Sequence, residues 1–102
     1  MAIEKPSEFF FEIFDASLPR LGPGDEASTE RALKTVLAAL PGGADGRVGA
    51  PLRVLDIGCG NGPQTIALAQ RVDGSILAVD NHEPFLDELQ RRVEAAGLAA
   101  RV

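Results

Sequence analysis

The chain has 102 residues, 45% of them hydrophobic and 25% charged, a composition that suits one small globular unit. A formal net charge of -5, without any run of Lys or Arg, argues against nucleic acid as a partner, because sequence-independent attraction to phosphates needs positive charge. No apolar run approaches the roughly 20 residues that cross a bilayer, so no membrane association is expected. The acidic, aromatic N-terminus is unlike a secretion signal, and a cytoplasmic location is expected. Cys59 and His82 each stand alone, which excludes an intramolecular disulfide and a clustered thiolate metal site and leaves little for a His-based metal site or a Ser-His-Asp triad.

In chain order, residues 8–18 read EFFFEIFDASL, with Phe10, Phe11 and Phe14 spaced for a short helix with an aromatic face. Such a cluster serves either as core packing or as a lid over a ligand pocket. Pro19 and then Leu21-Gly22-Pro23-Gly24-Asp25 break the pattern and give a loop leading into a second helix. That helix carries Leu33, Val36, Leu37 and Leu40 on one face and ends before Pro41-Gly42-Gly43. The Gly-, Ala- and Asp-rich stretch from Pro41 to Pro51 reads as a flexible connection, which divides the chain into a helical extension (1–50) and a second unit (51–102).

From Arg53 the pattern becomes that of a buried strand, Val54-Leu55-Asp56-Ile57, running into Gly58-Cys59-Gly60-Asn61-Gly62. Pro63 suits the first position of a helix, where its missing N–H has no partner to lose, and Thr65 to Val72 supply the helical body. Asp73-Gly74 turns the chain into a second buried strand, Ser75 to Val79, ending at Asp80. A helix follows near Pro84 with Leu86, Leu89 and Val93 on one face and Gly97 as its C-cap, and Ala99 to Val102 approaches a further strand. Strand, helix, strand, helix in this order requires parallel strands joined by right-handed crossovers, the doubly wound α/β class.

The segment from Gly58 to Gly62 places three glycines at the carboxyl end of the first strand, directly before a helix N-terminus. Glycine there permits a tight turn and close approach of a ligand to the main chain, while the helix offers unpaired N–H groups to a negatively charged group. Asp80 closes the second strand, where a carboxylate can accept hydrogen bonds from both hydroxyls of a ribose. Together these features describe a nucleoside site. The dinucleotide fingerprint G-x-G-x-x-G fails at its third glycine, where the chain has Pro63, and no Gly-Lys-Ser/Thr follows to make a P-loop. NAD or a related nucleotide is thereby disfavoured but remains an alternative.

In VLDIGCGNG and AVDNHEPF the chain resembles the class I S-adenosylmethionine-dependent methyltransferases, over roughly residues 51 to 97. The aromatic helix and the Leu21–Asp25 loop also look like the N-terminal extension of a bacterial small-molecule methyltransferase subgroup. The resemblance implies a Rossmann-like parallel sheet with flanking helices, here cut short after the second strand–helix unit. It implies that the backbone of Gly58, Cys59 and Gly60, in the loop closed by Gly62, contacts the methionine portion of S-adenosylmethionine, supported by Asp56. By the same resemblance Asp80 binds the ribose, Asn81 and His82 lie beside the adenine, and Asn61 or Gln64 reaches the methionyl carboxylate. Each has a structural competitor: Asp56 as a turn cap, Asp80 as a helix N-cap, His82 and Cys59 as packing residues. The family's acceptor pocket and general base come from later elements, so this chain by itself is expected to be inactive toward its small-molecule acceptor, and no catalytic residue is assigned. An edge of the first strand left without its neighbour is expected to drive self-association. A non-catalytic module binding S-adenosylmethionine or a nucleotide is the alternative reading.

Overall fold

The computed structural model describes residues 7–41 and 51–102. Its elements are α1 (Ser7–Ile13), α2 (Glu26–Ala39), β1 (Leu52–Ile57), α3 (Pro63–Arg71), β2 (Gly74–Val79) and α4 (Glu83–Ala95). The connection expected between Pro41 and Pro51 lies, over residues 42–50, outside the described residues. β1 and β2 run parallel, from Leu52 opposite Gly74 to Ile57 opposite Val79. The α/β, Rossmann-like architecture expected from the strand–helix order is therefore the one observed.

The aromatic helix is shorter than its apolar spacing predicts. Phe14 N–H still donates to Phe10 at 2.8 Å, but Asp15 then accepts Ser17 N–H at 2.8 Å, a local turn that competes with helical continuation. α2 starts at Asp25, whose extended backbone and carboxylate, accepting Ser28 N–H at 2.8 Å, make it the N-cap. Pro63 opens α3 as expected. α4 ends in a Schellman arrangement: Gly97, at φ 73°, donates to Glu94 and Leu98 donates to Val93.

The helices cover one face of the sheet. Cys59, Ala69, Val72, Ile76, Leu89, Val93 and Leu98 form the core there, with Leu52, Val54 and Ala78 packed against it. On α4 the buried stripe is Phe85, Leu89 and Val93, with Leu86 only partly buried. α2 lies against α3, where Arg71 pairs with Glu26 at 2.8 Å and with Glu30 at 3.7 Å. The opposite sheet face is apolar and bare among the described residues: Leu55 is 57% exposed, Ile57 77%, Leu77 66% and Val79 43%. Strands apolar on both faces suit a sheet covered on both sides. Past α4 the chain returns to the sheet, where Arg101 accepts from Ile76 N–H at 2.7 Å and its guanidinium bonds the carbonyls of Ala69, Val72 and Gly74. Ala99 to Arg101 form a turn, so the further strand expected from Ala99 onward is not present among the described residues.

Candidate functional site

The carboxyl ends of β1 and β2 are tied together before the glycine loop begins, because Gly58 and Cys59 both donate to the Val79 carbonyl, at 2.7 and 3.1 Å. Gly58, Gly60 and Gly62 have φ of 73°, 58° and 97°, in the left-handed region that side chains strain to enter. Gly62 has a second constraint: a Cβ there would sit 2.1 Å from Leu89 Cδ1, so α4 packs directly on the loop.

Asp80 clamps the loop from the second strand. One carboxylate oxygen accepts Gly60 N–H at 2.9 Å and the other accepts His82 N–H at 3.0 Å. A carboxylate offers about four acceptor positions, so each oxygen retains one for a ligand hydroxyl. Asp56 faces the helix side instead, accepting from Thr65 Oγ1 at 2.5 Å, which anchors the first turn of α3 to β1. Gln64 Nε2 donates to the Cys59 carbonyl at 2.8 Å and braces the loop from inside.

Asn61 is fully buried and reaches away from the loop. Its Nδ2 donates to the Ala16 carbonyl at 2.9 Å and to the Leu18 carbonyl at 2.6 Å, two acceptors that fix which end of the amide faces them. Its Oδ1 is buried without a partner among the described residues. Arg92 of α4 grips the same segment, donating to Leu18 at 2.8 Å and Pro19 at 3.3 Å while its Nε bonds Glu88 at 2.9 Å. The segment before Arg20 is thus fastened to the glycine loop from two sides.

This fastening encloses a cavity of about 460 Å³, within the range of roughly 300–1,000 Å³ usual for small-molecule sites. Gly58, Cys59, Gly60, Asn61, Pro63, Gln64 and Asp80 form one wall; Phe10, Phe14, Arg20, Leu21, Gly22, Pro23 and Thr29 form the other. Gly58 and Asp80 also border a neighbouring hollow of about 370 Å³ with Ile57, Val79 and Asn81. Asp80 therefore stands between two compartments.

Of the residues expected from the sequence, Gly58, Cys59, Gly60, Asn61, Gln64, Asp80 and Asn81 border these spaces, whereas Asp56, Gly62 and His82 do not. His82 stacks flat on Phe11, ring centroids 3.7 Å apart, with Phe85 edge-on at 4.4 Å. Burial pushes the Cys59 thiol up to about 11, helped by the Asp56 and Asp80 carboxylates, so it is a neutral packing residue at physiological pH. The α3 N-terminus, which by position favours a thiolate, does not prevail against these effects.

Sequence reasoning missed Arg20 and Arg92. The loop around Arg20 was legible as a break between helices, but nothing in local pattern links residue 92 to carbonyls 73 and 74 positions earlier. No group of His, Cys, Asp and Glu suited to a metal ion occurs among the described residues. No helix among them is long and apolar enough to cross a membrane.

Residues 54–102 match the family described as methyltransferase domain. Across 84 residues the chain is 38% identical to protein-L-isoaspartate O-methyltransferase of Saccharophagus degradans, covering 82% of this chain and 35% of that protein. Its fold is similar to a S-adenosylmethionine-dependent methyltransferase from Thiobacillus denitrificans crystallised with S-adenosyl-L-homocysteine. That match has a TM-score of 0.56 and 24% identity, and takes in all of this chain and 36% of that one. The chain thus spans about a third of the length of either relative. Residues 54–102 thus match a methyltransferase domain in sequence, and the chain has the fold of the corresponding part of a methyltransferase crystallised with S-adenosyl-L-homocysteine.

Proposed function

We propose that this chain binds S-adenosylmethionine and supplies the cofactor-binding part of an enzyme that transfers the methyl group to a small-molecule acceptor. The observation that carries this reading is Asp80: its carboxylate is held rigidly by Gly60 and His82 N–H groups yet keeps an acceptor position on each oxygen, which suits the two hydroxyls of a ribose. The glycine loop beside it has no Cβ at Gly58 or Gly60 to keep a ligand away from the main chain. Cavities on both sides of Asp80 suit a ligand that extends in two directions from a ribose, with a base toward Asn81 and a tail toward Gln64 and Arg20.

The cofactor supplies a methyl group already activated on a sulfonium, so the protein's part is to position it and exclude water. Asp80 and the glycine loop fix the orientation, and Phe10 and Phe14 offer an apolar wall that closes over the cavity. We assign no catalytic base: His82 is committed to its aromatic stack and Cys59 stays protonated. The name of the Saccharophagus relative specifies L-isoaspartate in proteins as its acceptor, but the chain covers too little of that enzyme to carry the acceptor over. The single thiol, buried and unpaired, suits a cytoplasmic setting.

Calorimetric titration with S-adenosyl-L-homocysteine tests the reading. The chain is expected to bind it, and Asp80→Asn, which keeps an acceptor for Gly60, is expected to weaken binding at least about tenfold, since hydrogen bonds to a charged acceptor are worth about 1.5–3 kcal/mol each. Tighter binding of NAD would favour a nucleotide-binding module, and absence of binding by a folded chain would refute the proposal for these residues.

A further inference from the structure

Resting on the cofactor reading above, we propose that Arg20 is the anion anchor of the cavity, pairing its guanidinium with the α-carboxylate at the amino-acid end of the cofactor. Asn61 and Gln64, the side chains whose position in the sequence suits that task, are already engaged. Both hydrogens of Asn61 Nδ2 go to Ala16 and Leu18, and Gln64 Nε2 is bonded to the Cys59 carbonyl. The α3 terminus is also poorer in donors than most, because Pro63 has no N–H to offer.

Arg20 differs from the other partly buried arginines among the described residues. Arg71 is bonded to Glu26 and the Ala67 carbonyl, Arg92 to Glu88 and three carbonyls, and Arg101 to three carbonyls. Arg20, half-buried in the cavity wall, has no hydrogen bond or ion pair among the described residues. Asp25 feels its charge, but that carboxylate accepts from Ser28 N and Oγ and caps α2. A guanidinium carries five donors in a fork matched to a carboxylate, and those of Arg20, at the cavity wall, are left open to a ligand.

Its placement is also fixed. The carbonyls of Ala16, Leu18 and Pro19, just before it, are held by Asn61 and Arg92. Leu21, just after it, lies so near the glycine loop that its Cδ1 would be 3.3 Å from a Cβ on Gly60. The cavity therefore has an acceptor, Asp80, on the strand side and an unmatched cation on the N-terminal side. That polarity suits a molecule with a diol in its middle and a carboxylate at one end.

Calorimetry with two ligands isolates the contact: S-adenosyl-L-homocysteine carries the carboxylate, and 5′-methylthioadenosine keeps the nucleoside but lacks the amino-acid end. Arg20→Gln is expected to weaken S-adenosyl-L-homocysteine about tenfold or more and leave 5′-methylthioadenosine within about twofold, with Arg20→Lys intermediate for the first ligand. Equal weakening of both ligands would mean that Arg20 only supports the fold, and no weakening of either would mean that it touches no carboxylate; each overturns the proposal while the cofactor reading stands. If the wild-type chain binds neither ligand, the cofactor reading fails and this assignment fails with it.

Discussion

Asn61→Asp replaces one terminal group by another of nearly the same size and so removes two donors without opening a cavity. In the native chain Nδ2 holds Ala16 at 2.9 Å and Leu18 at 2.6 Å. Losing two such bonds costs about 2 kcal/mol, at about 1 kcal/mol net for each. A carboxylate in the same place faces two carbonyl oxygens in a buried site, adding about 1–3 kcal/mol of uncompensated desolvation and repulsion. Arg92, whose Nη1 lies 3.5 Å from the Asn61 main-chain oxygen, attracts the new charge and holds the sum toward its lower end, about 3 kcal/mol. Urea unfolding followed by circular dichroism reads the global loss, and limited trypsin digestion at Arg20 reads local release of the N-terminal segment. A variant within about 0.5 kcal/mol of wild type whose Arg20 is cut no faster would refute the claim that this amide fastens the segment to the loop.

Gly62→Ala meets both a left-handed φ of 97° and Leu89 Cδ1 at 2.1 Å; about 1–2 kcal/mol of backbone strain and about 1–3 kcal/mol of overpacking should appear as a lower urea midpoint, and an unchanged midpoint would mean that α4 shifts freely. Glu88 is held down to about 2 by hydrogen bonds from Arg91 and Arg92, so its folded value lies below its unfolded one near 4.5. Its stabilisation is therefore present above about pH 4.5 and lost as the pH falls toward 2, and Glu88→Gln should lower the urea midpoint at pH 7 but much less at pH 2.5. Equal differences at the two pH values would contradict this assignment. The bare face of Leu55, Ile57, Leu77 and Val79 and the open edge of β1 should make this 102-residue chain self-associate. Sedimentation should show a concentration-dependent mass that falls in Ile57→Lys with Leu77→Lys, and a wild-type monomer at high concentration would count against it.

Much of the fold was legible because its signals are local. The apolar runs from Val54 and Ser75, the glycines before Pro63 and the turn at Asp73-Gly74 each constrain only their neighbours, and strand–helix alternation then dictates parallel pairing. Asp80 was legible for the same reason, since it sits at a strand end twenty residues from the Gly60 N–H it meets. The first helix was read too long because Asp15 and Ser17 compete with the helix through a side-chain turn that apolar spacing does not encode.

What the sequence by itself determined is the glycine loop, the two strands, the acid beyond the second, and thereby the resemblance to the methyltransferases. Tertiary structure alone decided the roles of the side chains around them. The amide of Asn61 follows the loop in sequence but serves a segment more than forty residues upstream, and Asp56 bonds Thr65 rather than facing the cavity. Arg92 and Arg20 acquire their places only when α4 and the N-terminal segment converge on the loop. The physical reason is that backbone conformation answers to residues a few positions away, whereas a hydrogen bond between distant segments answers to packing, which no local pattern contains.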